Sequence, residues 1–219
     1  MMMEEHRLAV SRMARYYTLG GGEPREVWFA CHGYGQLAGR FLDKLRLLDD
    51  GSRYLVAPEG LSRFYLTESP TERRVGASWM TREDRLAEIE DYVQYLDAVY
   101  ADVFGFLDRA RVSVRVLGFS QGAATVSRWT AMGRAKIDQV ILWGGEFPPD
   151  LDLGHEPAAG RLRAARLTLV YGRADEFITP KVAAAITARL REYAIPCEEI
   201  VFEGGHTLDD AMLRRLATG

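Results

Sequence analysis

The sequence predicts an α/β fold: a mostly parallel central sheet with helices on both faces and no separate cap domain. Three observations predict it. Short apolar runs rich in β-branched residues alternate along the chain with longer segments of helical period, as in successive strand–helix units. The chain has 219 residues, 47% of them hydrophobic, enough to bury a sizeable core in one domain spanning 1–219. No internal repeat, low-complexity segment or second domain interrupts it. Finally, Val114–Thr125 reads as a β-branched strand, then Gly118-Phe-Ser120-Gln-Gly122, then a helix start rich in small residues. A Gly-x-Ser-x-Gly turn between a strand and a helix holds its serine on a sharp, strained bend with the hydroxyl clear of the backbone.

The elements follow in order. Residues 6–18 alternate loosely around Val10, Tyr16 and Tyr17 and read as one or two antiparallel strands, with Gly20–Gly22 as the turn. Glu26–Cys31 is a short apolar strand ending at His32-Gly-Tyr-Gly35, and Leu37–Leu48 follows as a helix. Arg53–Ala57 is a strand closed by Pro58-Glu-Gly60. Residues 61–80 show no clear period and carry Pro70, Gly76 and several charges, so they read as a long functional loop. Thr81-x-x-Asp84 resembles a capping box. The helix after it carries an apolar stripe at 86, 89, 93, 96, 100, 103 and 107. Val112–Leu117, Gln139–Trp143, Leu167–Val170 and Glu198–Phe202 read as buried strands. Between them lie helices at 121–132 and 181–194, the second with Thr179 as N-cap and Pro180 in its first turn. Thr207-x-x-Asp210 starts a last helix.

A serine is a weak nucleophile until a base takes its proton and a third group orients that base. With Ser120 on the turn, an acid and then a histidine are expected downstream, in the order Ser, Asp or Glu, His. Asp175 follows an apolar strand in Tyr171-Gly-Arg-Ala-Asp175-Glu-Phe, with Glu176 as the neighbouring alternative. His206 follows the last strand in Gly204-Gly-His206. The other histidines fit less well. His6 is near a terminus, His155 comes too early in the chain order, and His32 belongs to a different motif as a structural histidine. Ser120, Asp175 and His206 all stand at carboxyl ends of strands, where sites collect in open α/β sheets. His32-Gly33-Tyr34-Gly35 is the loop that supplies one oxyanion donor, so the amides of Tyr34 and Gln121 are the expected pair. Trp79, with Phe64 and Tyr65 in the 61–80 loop, is expected to border an acyl pocket. Phe147 is expected to form its opposite wall.

Other chemistries are disfavoured. The net charge is −3 and the arginines are scattered, so no nucleic-acid partner is expected. Metal-ligand spacings, a P-loop and a dinucleotide fingerprint are all missing, so no metal and no cofactor is implied. Cys31 and Cys197 match no zinc or redox motif and read as free buried thiols. The N-terminus has no signal-peptide pattern and no apolar run is long enough to span a bilayer, so a cytoplasmic location is expected. Oligomeric state is not legible.

Together these motifs make the chain resemble the phospholipase/carboxylesterase family of α/β-hydrolases, which includes the acyl-protein thioesterases. The resemblance runs from about Val27 to His206. Its parts are His32-Gly-Tyr-Gly35, Ala57-Pro58, Ser78-Trp79, Gly118-Phe-Ser-Gln-Gly122, Gly172-x-x-Asp175-x-x-x-x-Pro180 and Gly205-His206. It implies an α/β-hydrolase fold and hydrolysis of carboxylic esters or thioesters by Ser120, Asp175 and His206, with Trp79 near the substrate. The expected substrate is a small acyl ester of short to medium chain. A serine peptidase or lactone hydrolase on the same fold, or a non-catalytic binding protein, are the competing readings.

Overall fold

The apolar runs form the middle of a sheet because their side chains are covered on both faces. In the computed structural model, which describes residues 2–67, 71 and 73–218, the strands are β1 (Tyr16–Leu19), β2 (Glu26–Cys31), β3 (Arg53–Pro58), β4 (Ser62–Tyr65), β5 (Val75–Ser78), β6 (Ser113–Phe119), β7 (Gln139–Trp143), β8 (Arg166–Gly172) and β9 (Cys197–Phe202). The helices are α1 (Ala38–Lys44), α2 (Arg85–Val103), α3 (Gln121–Met132), α4 (Ala158–Ala164), α5 (Pro180–Glu192) and α6 (Asp210–Thr218). Among the described residues, seven strands form one sheet in the order β1-β3-β2-β6-β7-β8-β9. Only β1 runs antiparallel, on the edge against β3; the other pairs are parallel.

Two core layers follow from the two-residue period of the strands. On β2, Val27, Phe29 and Cys31 enter one layer, with Ile89, Tyr92 and Leu96 of α2 and Trp129 of α3. Trp28 and Ala30 enter the other, with Phe41 and Leu42 of α1 and Leu213 of α6. The order of the sheet also positions the site. From β2 the chain crosses outward to β3, and from β6 it crosses the other way to β7. The reversal lies between β2 and β6, which pair with Cys31 opposite Gly118. The loops after these two strands, at His32 and at Ser120, therefore flank one crevice at the carboxyl end of the sheet.

Several expectations change. Only Tyr16–Leu19 of residues 6–19 is a strand; residues 2–15 lie outside the sheet and their side chains are largely exposed. Residues 61–80 contain an antiparallel ladder, with Ser62 opposite Ser78 and Tyr65 opposite Val75. Four residues per strand are too few to print a period on the sequence: β4 is half-exposed, and β5 is buried through the small residues Gly76, Ala77 and Ser78. This ladder joins the His32–Gly35 loop, since the Gly35 N–H donates to the Ala77 carbonyl at 2.9 Å and Gln36 bridges Ala77. Pro70 lies outside the described residues.

Thr81 does not cap α2. The helix starts four residues later, behind Asp84, whose φ is +43°. Glu88 instead reaches back to accept from the Thr81 hydroxyl at 3.0 Å. The buried stripe of α2 is Ile89, Tyr92, Val93, Leu96, Val99 and Val103, while Leu86 is exposed and Leu107 falls beyond the helix end. Asp209, not Thr207, caps α6, accepting from the Met212 N–H at 2.8 Å. Thr179 does cap α5. The 37–48 helix breaks at Leu45 into a 3-10 turn at Arg46–Leu48, and α4 carries no sequence signal that distinguished it from a loop. Cys31 and Cys197 are both free, and burial raises both thiol pKa values. Among the described residues, no helix is long and apolar enough to cross a membrane.

Candidate active site

Ser120 sits between β6 and α3 with φ +54° and ψ −118°. Such a conformation costs a non-glycine residue on the order of 1–3 kcal/mol and persists only where the surroundings enforce it. Here they do. The Ser120 N–H donates to the Trp143 carbonyl at 2.9 Å. The tightness of the bend requires both glycines of the motif. A Cβ on Gly118 would stand 2.2 Å from the Gly122 carbonyl oxygen, and one on Gly122 would stand 2.1 Å from that of Cys31. The two strands flanking the crevice thus pack against the elbow through bare backbone.

His206 Nδ1 donates to Asp175 Oδ2 at 3.0 Å. Asp175 is buried, and its other oxygen accepts from the N–H groups of Phe177 (2.8 Å) and Ile178 (3.0 Å). Three hydrogen bonds fix this carboxylate, and it fixes the imidazole with Nδ1 as donor and Nε2 as acceptor. Glu176 is exposed and makes no bond to His206. The ring of His206 lies against Phe119, the residue before Ser120, at 5.0 Å between centroids, and edge-on to Phe177 at 4.6 Å. Among the described residues no hydrogen bond joins Ser120 Oγ to His206. Such contacts commonly tighten only around a substrate. His6 and His155 are exposed and pair with Glu4 and Asp152, away from this cluster.

The His32 side chain is fully buried and uses both nitrogens. Nδ1 donates to the Gly33 carbonyl at 2.8 Å, and Nε2 accepts from the Gly60 N–H at 3.0 Å. Its own carbonyl accepts from Trp79 Nε1 at 2.8 Å. His32 therefore pins the His32–Gly35 loop to the end of β3, and it can do so only as a neutral ring. Burial lowers its pKa, against the opposing effects of the Gly33 hydrogen bond and the Glu59 charge. On acidification the unfolded chain takes up this proton first. The contribution of His32 to stability is thus complete above the ordinary imidazole value, near about 6.5, and is lost as pH falls below it. His32→Ala is expected to cost roughly 1–3 kcal/mol through the orphaned Gly60 N–H and to flatten this acid limb. Thermal melts of both proteins from pH 8 to 5 check it; parallel curves would remove His32 as the source.

Neither the Tyr34 nor the Gln121 N–H has a hydrogen-bond partner among the described residues, and the two flank the crevice from its two sides. The Tyr34 ring points outward, 59% exposed, and packs on Phe64 at 5.1 Å. The Gln121 side chain is clamped by the segment after β5. Its Oε1 accepts from the Trp79 N–H at 3.0 Å and its Nε2 donates to the Met80 carbonyl at 2.7 Å. Trp79 and Phe147 are not exposed walls. They are only 1% and 4% exposed, within the same core layer. Trp79 is a strut between His32 and Gln121, and Phe147 lies beneath the Arg189 guanidinium. Both lie under the site because an aromatic ring in a short loop is stabilised more by core burial than by exposure.

A groove of about 260 Å³ runs along α3 from Gln121, the residue after the elbow serine; its lining includes Met80, Gln121, Ala124, Arg128, Glu146 and Pro149, but neither Ser120 nor His206. The aromatic flanks of His206 and the Gln121 clamp were not anticipated from the sequence. Phe119 lies inside the Gly-Phe-Ser-Gln-Gly motif and Phe177 two residues after Asp175, so position alone could have flagged them.

Residues 30–210 match the family described as Serine hydrolase (FSH1). No curated protein sequence matches the chain. Solved structures of similar fold include acyl-protein thioesterase 2 of Zea mays, with TM-score 0.71 and 16% identity over 94% of this chain and 97% of that one. A carboxylesterase from Mesorhizobium loti has TM-score 0.71 and 25% identity over 94% and 95%. SOBER1 of Arabidopsis thaliana has TM-score 0.68 and 14% identity over 89% and 96%. The architecture is that of the α/β-hydrolases. With the match covering most of its length, the chain belongs to the serine hydrolase (FSH1) family.

Proposed function

We infer that the protein hydrolyses carboxylic esters or thioesters of short to medium acyl chains, with Ser120 as nucleophile, His206 as base and Asp175 orienting the base. The observation that carries this reading is the Asp175–His206 pair, its carboxylate buried and its imidazole half-buried, packed against the elbow that strains Ser120. The similarity to a carboxylesterase and to an acyl-protein thioesterase supports the ester or thioester class.

In this reading Ser120 Oγ attacks the acyl carbon as its proton passes to His206 Nε2. Asp175 stabilises the imidazolium without becoming protonated. The negative charge that develops on the carbonyl oxygen is met by the Tyr34 and Gln121 N–H groups, both without internal partners. A preorganised donor of this kind typically lowers the barrier by about 3–4 kcal/mol. Collapse expels the alcohol or thiol with the proton from His206. Water then attacks the acyl-serine ester by the same route and releases the acid. The groove is small, about 260 Å³ between α3 and the segments at Met80 and Glu146–Asp150, which favours short and medium chains.

The test is a panel of p-nitrophenyl esters from acetate to palmitate beside thioesters of matched length. Hydrolysis that peaks at short or medium length and disappears after fluorophosphonate treatment is the expected result. Turnover confined to peptide amides or lactones would replace this substrate class.

A further inference from the structure

The groove that starts at Gln121, one residue from Ser120, has two chemically different ends. Its elbow end is formed by Gln121 and by Glu146, which follows Gly144 and Gly145 past β7. Its middle is lined by Met80, Ala124 and Pro149. Arg128 lies two turns along α3 from Gln121, about 10 Å away at 1.5 Å per residue. There Arg85 and Arg128 converge on one carboxylate, Asp150. Arg128 Nη2 donates to Asp150 Oδ1 at 2.8 Å, and Arg85 Nη2 pairs with Asp150 Oδ2.

This far end holds more positive charge and more donors than the protein uses. Two guanidiniums face one carboxylate. The Arg128 side chain is only 6% exposed, yet its Nε has no acceptor among the described residues. Its Nη1 finds only the Tyr92 hydroxyl at 3.4 Å and the Met80 sulfur at 3.6 Å. Arg85 is 31% exposed and contributes donors beyond the one paired with Asp150. Burial works to raise the Asp150 carboxyl, but the bonds and charge of Arg128 and Arg85 outweigh it and lower its pKa. It therefore stays ionised and neutralises one guanidinium, not both. Glu146, the other acid of the groove, belongs to the elbow end.

We propose that this groove is the acyl subsite and that its Arg85–Arg128 end selects acyl chains ending in a carboxylate, so that preferred substrates are half-esters or half-thioesters of dicarboxylic acids. Guanidinium groups suit this role because their planar donors match a carboxylate in pairs. The apolar middle fits the methylene chain between the two ends. The proposal rests on the esterase reading of Ser120 and extends it to the far end of the acyl group.

Paired substrates test it. The p-nitrophenyl monoesters of adipic and suberic acid, each with a free carboxylate, are compared with p-nitrophenyl hexanoate and octanoate. In the wild-type enzyme kcat/KM should be at least about tenfold higher for the acidic member of a pair, and the ratio should shrink as salt is raised. Arg85→Gln should bring the ratio towards one, and Arg85→Lys, which keeps the charge, should restore much of it. Equal or better turnover of the neutral esters by the wild type overturns the proposal, and so does a ratio unmoved by Arg85→Gln. If no ester in the set is hydrolysed, the esterase reading itself falls, a result distinct from hydrolysis without preference.

Discussion

Ser120→Ala should lower kcat by about 10⁴–10⁶, the scale seen when the nucleophile of such a set is removed. The variant should fold normally. The hydroxyl of Ser120 makes no hydrogen bond among the described residues, and the backbone at φ +54° is held by the Trp143 carbonyl and by the close packing of Gly118 and Gly122. Stability should therefore change by no more than about 0.5 kcal/mol. Steady-state hydrolysis of p-nitrophenyl butyrate measures the first effect and a thermal melt the second. A fluorophosphonate should add one adduct to the wild type, on the peptide containing Ser120, and none to the variant. Retention of most activity, or an adduct elsewhere, would end the assignment of Ser120.

Asp175→Asn should cost about 10⁴ in kcat, as expected when a triad acid becomes an amide. The hydrogen bonds explain why. The N–H groups of Phe177 and Ile178 require an acceptor at the position of Oδ1. An asparagine oxygen must stay there, which turns its NH₂ towards His206 Nδ1. That nitrogen must then become the acceptor, and the ring proton moves to Nε2, where the serine proton has to go. The protein should remain folded with the imidazole held in the wrong tautomer. Glu176→Gln, on an exposed side chain, should change kcat by less than about twofold, as surface changes away from a site usually do. Kinetics of the two variants side by side decide the matter; the reverse ranking would transfer the acid role to Glu176.

Much of the architecture is legible in the sequence because burial on both faces leaves a local record. Val114–Leu117 and Gln139–Trp143 are mostly apolar, with Arg115 and Gln139 the polar exceptions, and every residue of both runs is buried, as strands in the middle of a covered sheet require. The Gly-x-Ser-x-Gly pattern is short enough to read directly, although only Gly118 answers a contact within the turn: a Cβ there would stand 2.2 Å from the Gly122 carbonyl oxygen, whereas one on Gly122 would stand 2.1 Å from that of Cys31 on β2. The stripe of α2 is legible for the same reason, apart from its ends. Helix ends depend on single hydrogen bonds, which is why Thr81 and Thr207 look like caps while Asp84 and Asp209 occupy the boundaries. The β4–β5 ladder leaves no trace because its strands are only four residues long, β4 is half-exposed, and β5 is buried through Gly76, Ala77 and Ser78, small residues that carry no apolar period.

The sequence by itself determined the class of fold, the elbow serine and the short set of acids and histidines at strand ends. Tertiary structure alone decided which of these groups meet. Residues 175 and 206 become partners only because β8 and β9 lie side by side, and the His32 loop reaches the elbow only because β2 and β6 pair across the switch in the sheet. It also decided that Trp79 and Phe147 are buried supports and that Arg85, Arg128 and Asp150 share one end of a groove. The physical reason is common to all of these. Strand and turn propensities act over a few residues and are written locally, whereas contacts between residues thirty or more apart depend on strand order and packing, which no local pattern encodes.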